Sequence, residues 1–239
     1  MTGETGQRSL VFDSGPIISL TTANLLWILE PLKKKFNGRF LITPGVKEEI
    51  VNNPLKTKRF KFEALQILDA VNEGILEIVE NSDIDADSET IIDMANTLFL
   101  AKGHPIRIVH TAEIEALAAA LFYKSSAVII DERTTRLLIE DPPKLQYLLR
   151  KKLHTPIEVD TSALLKLKDL LGEVKVLRSV ELATVAFEMG LLESIITNKN
   201  NIVIDNPHKT LLEGMLWGIK LNGCAVSEQE IKRIIKLAL

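Results

Sequence analysis

Four carboxylates stand where an α/β sheet gathers its active site: Asp13, Glu49, Glu115 and Asp131. Two of them share the same punctuation. Leu10-Val11-Phe12 runs into Asp13, followed by Ser14-Gly15-Pro16, and Ala127-Val128-Ile129-Ile130 runs into Asp131, followed by Glu132-Arg133-Thr134. A short β-rich run closed by an acid places that acid beyond the carboxyl end of a strand, where open α/β sheets bind ligands. Each aspartate can equally cap the helix that follows it. The third acid lies in Thr43-Pro44-Gly45-Val46-Lys47-Glu48-Glu49-Ile50. Val46 and Ile50 are four apart and define the buried face of a short helix, so Glu49 lies near that face and Glu48 off it.

The fourth acid lies in Ala112-Glu113-Ile114-Glu115-Ala116-Leu117-Ala118-Ala119. Residues two apart on a helix differ by about 200°, so Glu113 and Glu115 cannot both face one pocket unless the first turn frays. The row through Glu115, Ala118, Ala119 and Phe122 is lined with small side chains that allow close approach to a sheet. That favours Glu115, with Glu113 as the alternative ligand. Four clustered carboxylates raise one another's pKa and do not stay ionised unaided. A hard divalent cation resolves the conflict, and an all-oxygen set without His or Cys selects Mg²⁺ or Mn²⁺ over zinc.

The elements that must position these acids alternate. Strand-like runs fall at Ser9–Phe12, Arg39–Ile42, Ile75–Val79, Ala127–Ile130 and Val174–Leu177, with helical stretches at 17–36, 46–51, 60–73, 88–101, 112–123, 134–139 and 180–189. Such alternation predicts a mostly parallel sheet with helices on both faces. Ile106–Val109 reads as a short extra strand or an extended loop. Pro142-Pro143 breaks the chain, and 144–168 reads as an inserted helical segment. The sequence therefore divides into a tail at 1–8, an α/β domain at 9–192 with an insertion near 142–170, and a helical C-terminal extension at 193–239.

Composition bounds the setting. The 239 residues are 46% hydrophobic and 26% charged, and the lone Cys224 excludes a disulfide framework and suits a reducing cytoplasm. No apolar run is long enough to span a bilayer. The net charge of −3 hides an uneven distribution. Nine Lys and Arg residues lie between Pro31 and Lys61, and eight acids with no Lys or Arg lie between Glu73 and Asp93. Lys33, Lys34, Lys35, Lys58, Arg59 and Lys61 are candidate phosphate contacts, with Phe60 and Phe62 interleaved as a stacking platform. Arg133 is a further candidate.

Together, Leu10–Ser14, Thr43-Pro44 leading to Glu49, the Glu113-Ile114-Glu115-Ala116 helix and Val128–Arg133 followed by Arg136 resemble the PIN-domain ribonucleases. The Glu-x-Glu-Ala helix followed by a strand ending in paired acids, and the later Met189-Gly190-Leu191-Leu192, are similar to a prokaryotic branch related to VapC-type toxins. The resemblance implies a three-layer α/β/α sandwich around about five mostly parallel strands, with one or two Mg²⁺ or Mn²⁺ ions held by Asp13, Glu49, Glu115 and Asp131. Ser14, Glu113 and Glu132 would serve as supporting or alternative ligands. It further implies an endoribonuclease acting on an RNA substrate, a homodimer, an antitoxin-type protein partner and no membrane. Glu132 stands where that branch often has a second aspartate, which leaves Asp131 and Glu132 as alternatives for the metal.

Two other readings compete. A non-catalytic PIN-like module would bind RNA or protein with the same fold. An acid-based phosphotransfer enzyme of the haloacid-dehalogenase kind needs Asp-x-Asp after the first strand, and Asp13 is followed by Ser14-Gly15. Asp83–Asp87 resembles the start of a calcium loop but has Ser88 and Met94 where glycine and glutamate are required. The four histidines show no metal-ligand spacing.

Overall fold

A computed structural model describes residues 8–197 and 204–239. Eight strands form among the described residues: β1 (Ser9–Phe12), β2 (Arg39–Ile42), β3 (Glu77–Ile78), β4 (Phe99–Ala101), β5 (His104–Pro105), β6 (Ala127–Ile129), β7 (Ile157–Val159) and β8 (Val176–Leu177). Five of them make one parallel sheet in the order β3-β2-β1-β6-β8. Parallel strands covered on both faces carry continuous apolar runs, which is why β1 and β6 read as unbroken hydrophobic segments. Alternate side chains enter different cores. Leu10 and Phe12 face one, with Ile17, Leu29, Leu32 and Val180, whereas Val11 faces the other, with Ile91, Ile114 and Leu117. The result is the expected three-layer α/β/α sandwich of about five strands.

On the first face lie the helices Ser14–Thr22, Leu29–Phe36 and Ser179–Glu188. The stretch at 17–36 is therefore not one helix, because Asn24 takes a positive φ of 59° that interrupts it. The C-terminal helices Pro207–Leu221 and Glu228–Ala238 add Leu212, Leu216, Ile219 and Ile231 to the same core. On the second face lie Ser82–Thr97 and Thr111–Phe122.

A second, antiparallel sheet, β5-β4-β7, is absent from the sequence reading. The helix expected at 88–101 begins at Ser82, where Asn81 accepts a bond from the Asp83 N–H, and stops at Thr97, so that 99–101 becomes β4. The insertion at 144–168 is likewise two helices, Pro142–Leu153 and Thr161–Leu171, with β7 between them. Pro142 and Pro143 start the first of these rather than break the chain. Proline loses nothing in a first turn, and Asp141 accepts from the Lys144 N–H at 3.1 Å. Ile106–Val109 is an extended loop tied to Asn96, whose Oδ1 accepts from the N–H groups of Ile108 and Val109. No helix among the described residues is long and apolar enough to cross a membrane.

Candidate active site

The sheet order puts β1 beside β6 with Phe12 opposite Ile129, so Asp13 and Asp131 emerge from neighbouring strands. The Asp13 N–H continues the ladder by donating to the Ile129 carbonyl at 3.0 Å. Gly15 fills the space between the two side chains. A Cβ there would lie 3.4 Å from Asp13 Oδ2 and 3.5 Å from Asp131 Cβ. Asp13 is 2% exposed and stands at the N-cap of the following helix, yet makes no side-chain capping bond. Its Oδ1 has no hydrogen-bond partner. Burial pushes its carboxyl up to about 7; the nearby Ser14 and Gly15 N–H groups pull the other way, and the charges of Glu113 and Glu49 add to the rise. An ionised Asp13 is therefore disfavoured unless positive charge reaches it.

Glu49 sits in a widened π turn, Glu48–Asn52, anchored by buried Ile50 and Val51. Its side chain is exposed and its charge reaches Asp13, while Glu48 is occupied by Asn52 and Lys56. Glu113 is half-buried and accepts from Thr135 Oγ1 at 2.8 Å. Thr135, fully buried, also donates its N–H to Glu132 at 2.7 Å, so Glu132 caps the Arg133–Glu140 helix. Burial, with the Glu132 charge, raises the Glu113 pKa, while Thr135 and His110 oppose the rise.

Glu115 is placed differently. It accepts from Thr43 Oγ1 at 3.2 Å, and its carboxylate lies so close to Gly45 that a Cβ there would be 2.2 Å from Oε2. The charge of Glu113 bears on Asp13. Asp131 has both oxygens occupied: Oδ1 accepts from the Ser179 N–H at 2.8 Å and Oδ2 from Ser179 Oγ at 2.6 Å. Its carbonyl accepts from the Ala225 N–H. Beside it, Cys224 is buried, and burial together with the Asp131 charge pushes its thiol up to about 12, so it is no nucleophile.

Among the described residues no three His, Cys, Asp or Glu side chains stand close enough to hold a metal ion. Asp13, Glu49 and Glu113 share an electrostatic field without forming a closed cage. Mg²⁺ suits such an arrangement, because it keeps several waters and is held by one or two carboxylates plus substrate phosphates. The unpartnered Asp13 oxygen and the nearby carboxylates of Glu49 and Glu113 fit a hard divalent cation.

The basic candidates also divide. Lys33 pairs with Glu77 at 2.6 Å and Lys34 with Glu30 at 2.5 Å, whereas Lys35 makes no ion pair among the described residues. Lys58, Arg59 and Lys61 are exposed, with the Arg59 guanidinium 4.5 Å from the Phe60 ring centroid. Arg133 is exposed, and Arg136 Nε stands 3.8 Å from Glu140 with no hydrogen bond.

A family model described as a PIN domain (DUF3368) matches residues 9–140, more than half of the chain. The chain belongs to the PIN-domain family. The matched span contains Asp13, Glu49, Glu113, Glu115, Asp131 and Glu132, on a nuclease-type fold. No curated protein and no solved structure matches the chain. The sequence reading missed Thr43, Thr135 and Ser179, all three buried hydroxyls bonded to the acids of this PIN domain. The available signal was their placement, since Thr43 and Ser179 each follow within two residues of a strand end.

Proposed function

We propose that this PIN domain is a divalent-metal-dependent, VapC-like endoribonuclease that hydrolyses phosphodiester bonds of single-stranded or structured RNA. One observation carries the reading: Asp13 is buried, its Oδ1 is unpartnered, and its carboxyl is raised to about 7. A protein tolerates such a group where function uses it. Asp13 would hold Mg²⁺ or Mn²⁺ directly, with Glu113 and Glu49 reaching it through water. A bound cation supplies Lewis-acid polarisation of the phosphodiester and lowers the pKa of water. Thr135 fixes the Glu113 carboxylate, and Asp131, held by Ser179, keeps the adjoining strand end in place. Lys58, Arg59, Lys61 and Arg133 are exposed cations available to the RNA backbone.

The test is cleavage of a labelled single-stranded RNA with Mn²⁺. Wild type cuts it and stops on chelation, while Asp13→Asn loses activity by about a thousandfold, the scale of losing one charge-stabilising group. Equal cutting by both proteins would defeat the assignment. The open spacing of the acids favours a second reading, a non-catalytic PIN-like module that binds RNA or protein. Binding of the same RNA without cleavage at any Mn²⁺ concentration would select it. The resemblance to the VapC-type branch also supports a homodimer and an antitoxin-type partner in the cytoplasm, which light scattering and co-purification test.

A further inference from the structure

On the first face of the sheet, a cleft of about 450 Å³ opens between the Leu29–Phe36 and Ser179–Glu188 helices. Its floor is strand surface, Leu10 and Ala127, which pair across β1 and β6. Phe36 forms one wall and Val185, 45% exposed, the other. The floor lies three residues before Asp13 on β1, so the cleft is separate from the carboxylates that close the strands.

Three cations, Arg8, Lys35 and Lys175, line this apolar cleft, and no carboxylate among the described residues does. None of the three makes an ion pair among the described residues, although their neighbours Lys33, Lys34 and Arg39 all do. Arg8 is held over the wall, its guanidinium 4.5 Å from the Phe36 ring centroid. Apolar walls without a counter-charge for the rim call for a ligand that brings both an apolar body and an anion. The volume lies in the small-ligand range of about 300–1,000 Å³. A second copy is a poor occupant, because a two-fold contact would set these cations against their own images.

We propose that this cleft binds an anionic amphiphile, a single aliphatic chain with a carboxylate head, the chain over Leu10 and Ala127 and the head among Arg8, Lys35 and Lys175. This stands independently of the ribonuclease reading.

The experiment is calorimetric titration of the full chain with dodecanoate below its micelle concentration, alongside dodecanol. Dodecanoate is expected to bind saturably at one site, about tenfold or more tighter than dodecanol, the scale of one charge-assisted hydrogen bond. Lys35→Glu combined with Lys175→Glu weakens dodecanoate by a similar factor. Val185→Trp, which fills the cleft from an exposed position, abolishes binding of both. No saturable dodecanoate binding, equal affinity for dodecanol, or binding unchanged in both variants overturns the proposal. So does a wild-type dimer that Val185→Trp dissociates, because the cleft then belongs to a second copy.

Discussion

Asp13 and Asp131 close neighbouring parallel strands, and each is 2% exposed, but their surroundings differ. Asp131 receives two hydrogen bonds from Ser179 and buttresses the segment carrying Cys224 and Ala225. Asp13 has an oxygen without a partner and feels two other carboxylates. Each Asp131 oxygen has a donor, so burial costs it less than it costs Asp13, whose Oδ1 has none. The same strand-end motif is therefore tied to Ser179 at one position and left under electrostatic stress at the other. A group kept under such stress is the better candidate for chemistry.

The largest effect expected from this contrast is on the pH dependence of the metal-free protein. Asp13 keeps its proton in the folded state up to about 7, whereas the unfolded chain releases it near 3.8. Stability thus falls as pH rises through that window, by at most about 4 kcal/mol for a shift of roughly three units. Urea unfolding in chelator at pH 5 and pH 8 measures the fall, and Asp13→Asn should flatten it. A profile unchanged by that substitution would remove Asp13 as its source.

Asp131→Asn should act in the opposite direction. It turns an amide N–H₂ or a single acceptor towards two Ser179 donors and costs about 2–3 kcal/mol of stability. Urea midpoints measure it. If Asp131→Asn were as harmless as Asp13→Asn, the contrast between the two aspartates would disappear.

A smaller effect is expected from Arg178, which precedes the same serine. Its buried guanidinium pairs with Glu181 and with Glu230 at 2.8 Å, and so joins the Ser179–Glu188 helix to the last helix. The Glu230 carboxyl is lowered to about 2: its burial alone would raise it, but Ser227 and Arg178 outweigh that. Its contribution is present above the ordinary value of 4.5 and is lost as pH falls towards about 2. Because both glutamates are partly exposed, Arg178→Gln should cost only about 1–2 kcal/mol. Most of the difference from wild type should vanish on acidification, as thermal unfolding at pH 7 and pH 2.5 would show.

Much of the frame was legible in the sequence because it depends on local pattern. β1 and β2 fall at 9–12 and 39–42 as read, and Asp13 and Asp131 follow β1 and β6. What was not legible depends on pairing between distant segments. Ser179 reaches Asp131 only because β8 adds beside β6, a contact across 48 residues. The two- and three-residue strands of the small sheet carry too little periodicity to register alone. The choice between Glu113 and Glu115 rests on the rotation of their helix against the sheet, which small side chains permit but do not determine. Charge segregation along the chain also misleads, since pairing of β2 with β3 carries Glu77 to Lys33 and Arg39. Part of the basic track is thereby neutralised by the acidic stretch.

If Asp13 is a stressed carboxylate that a divalent cation relieves, thermal unfolding at pH 8 must depend on Mn²⁺ through that residue. Mn²⁺ should raise the midpoint of the wild type. Asp13→Asn should melt higher than metal-free wild type and respond little to Mn²⁺. A metal-free Asp13→Asn that melts lower, or that Mn²⁺ stabilises as much as it does wild type, would contradict the account.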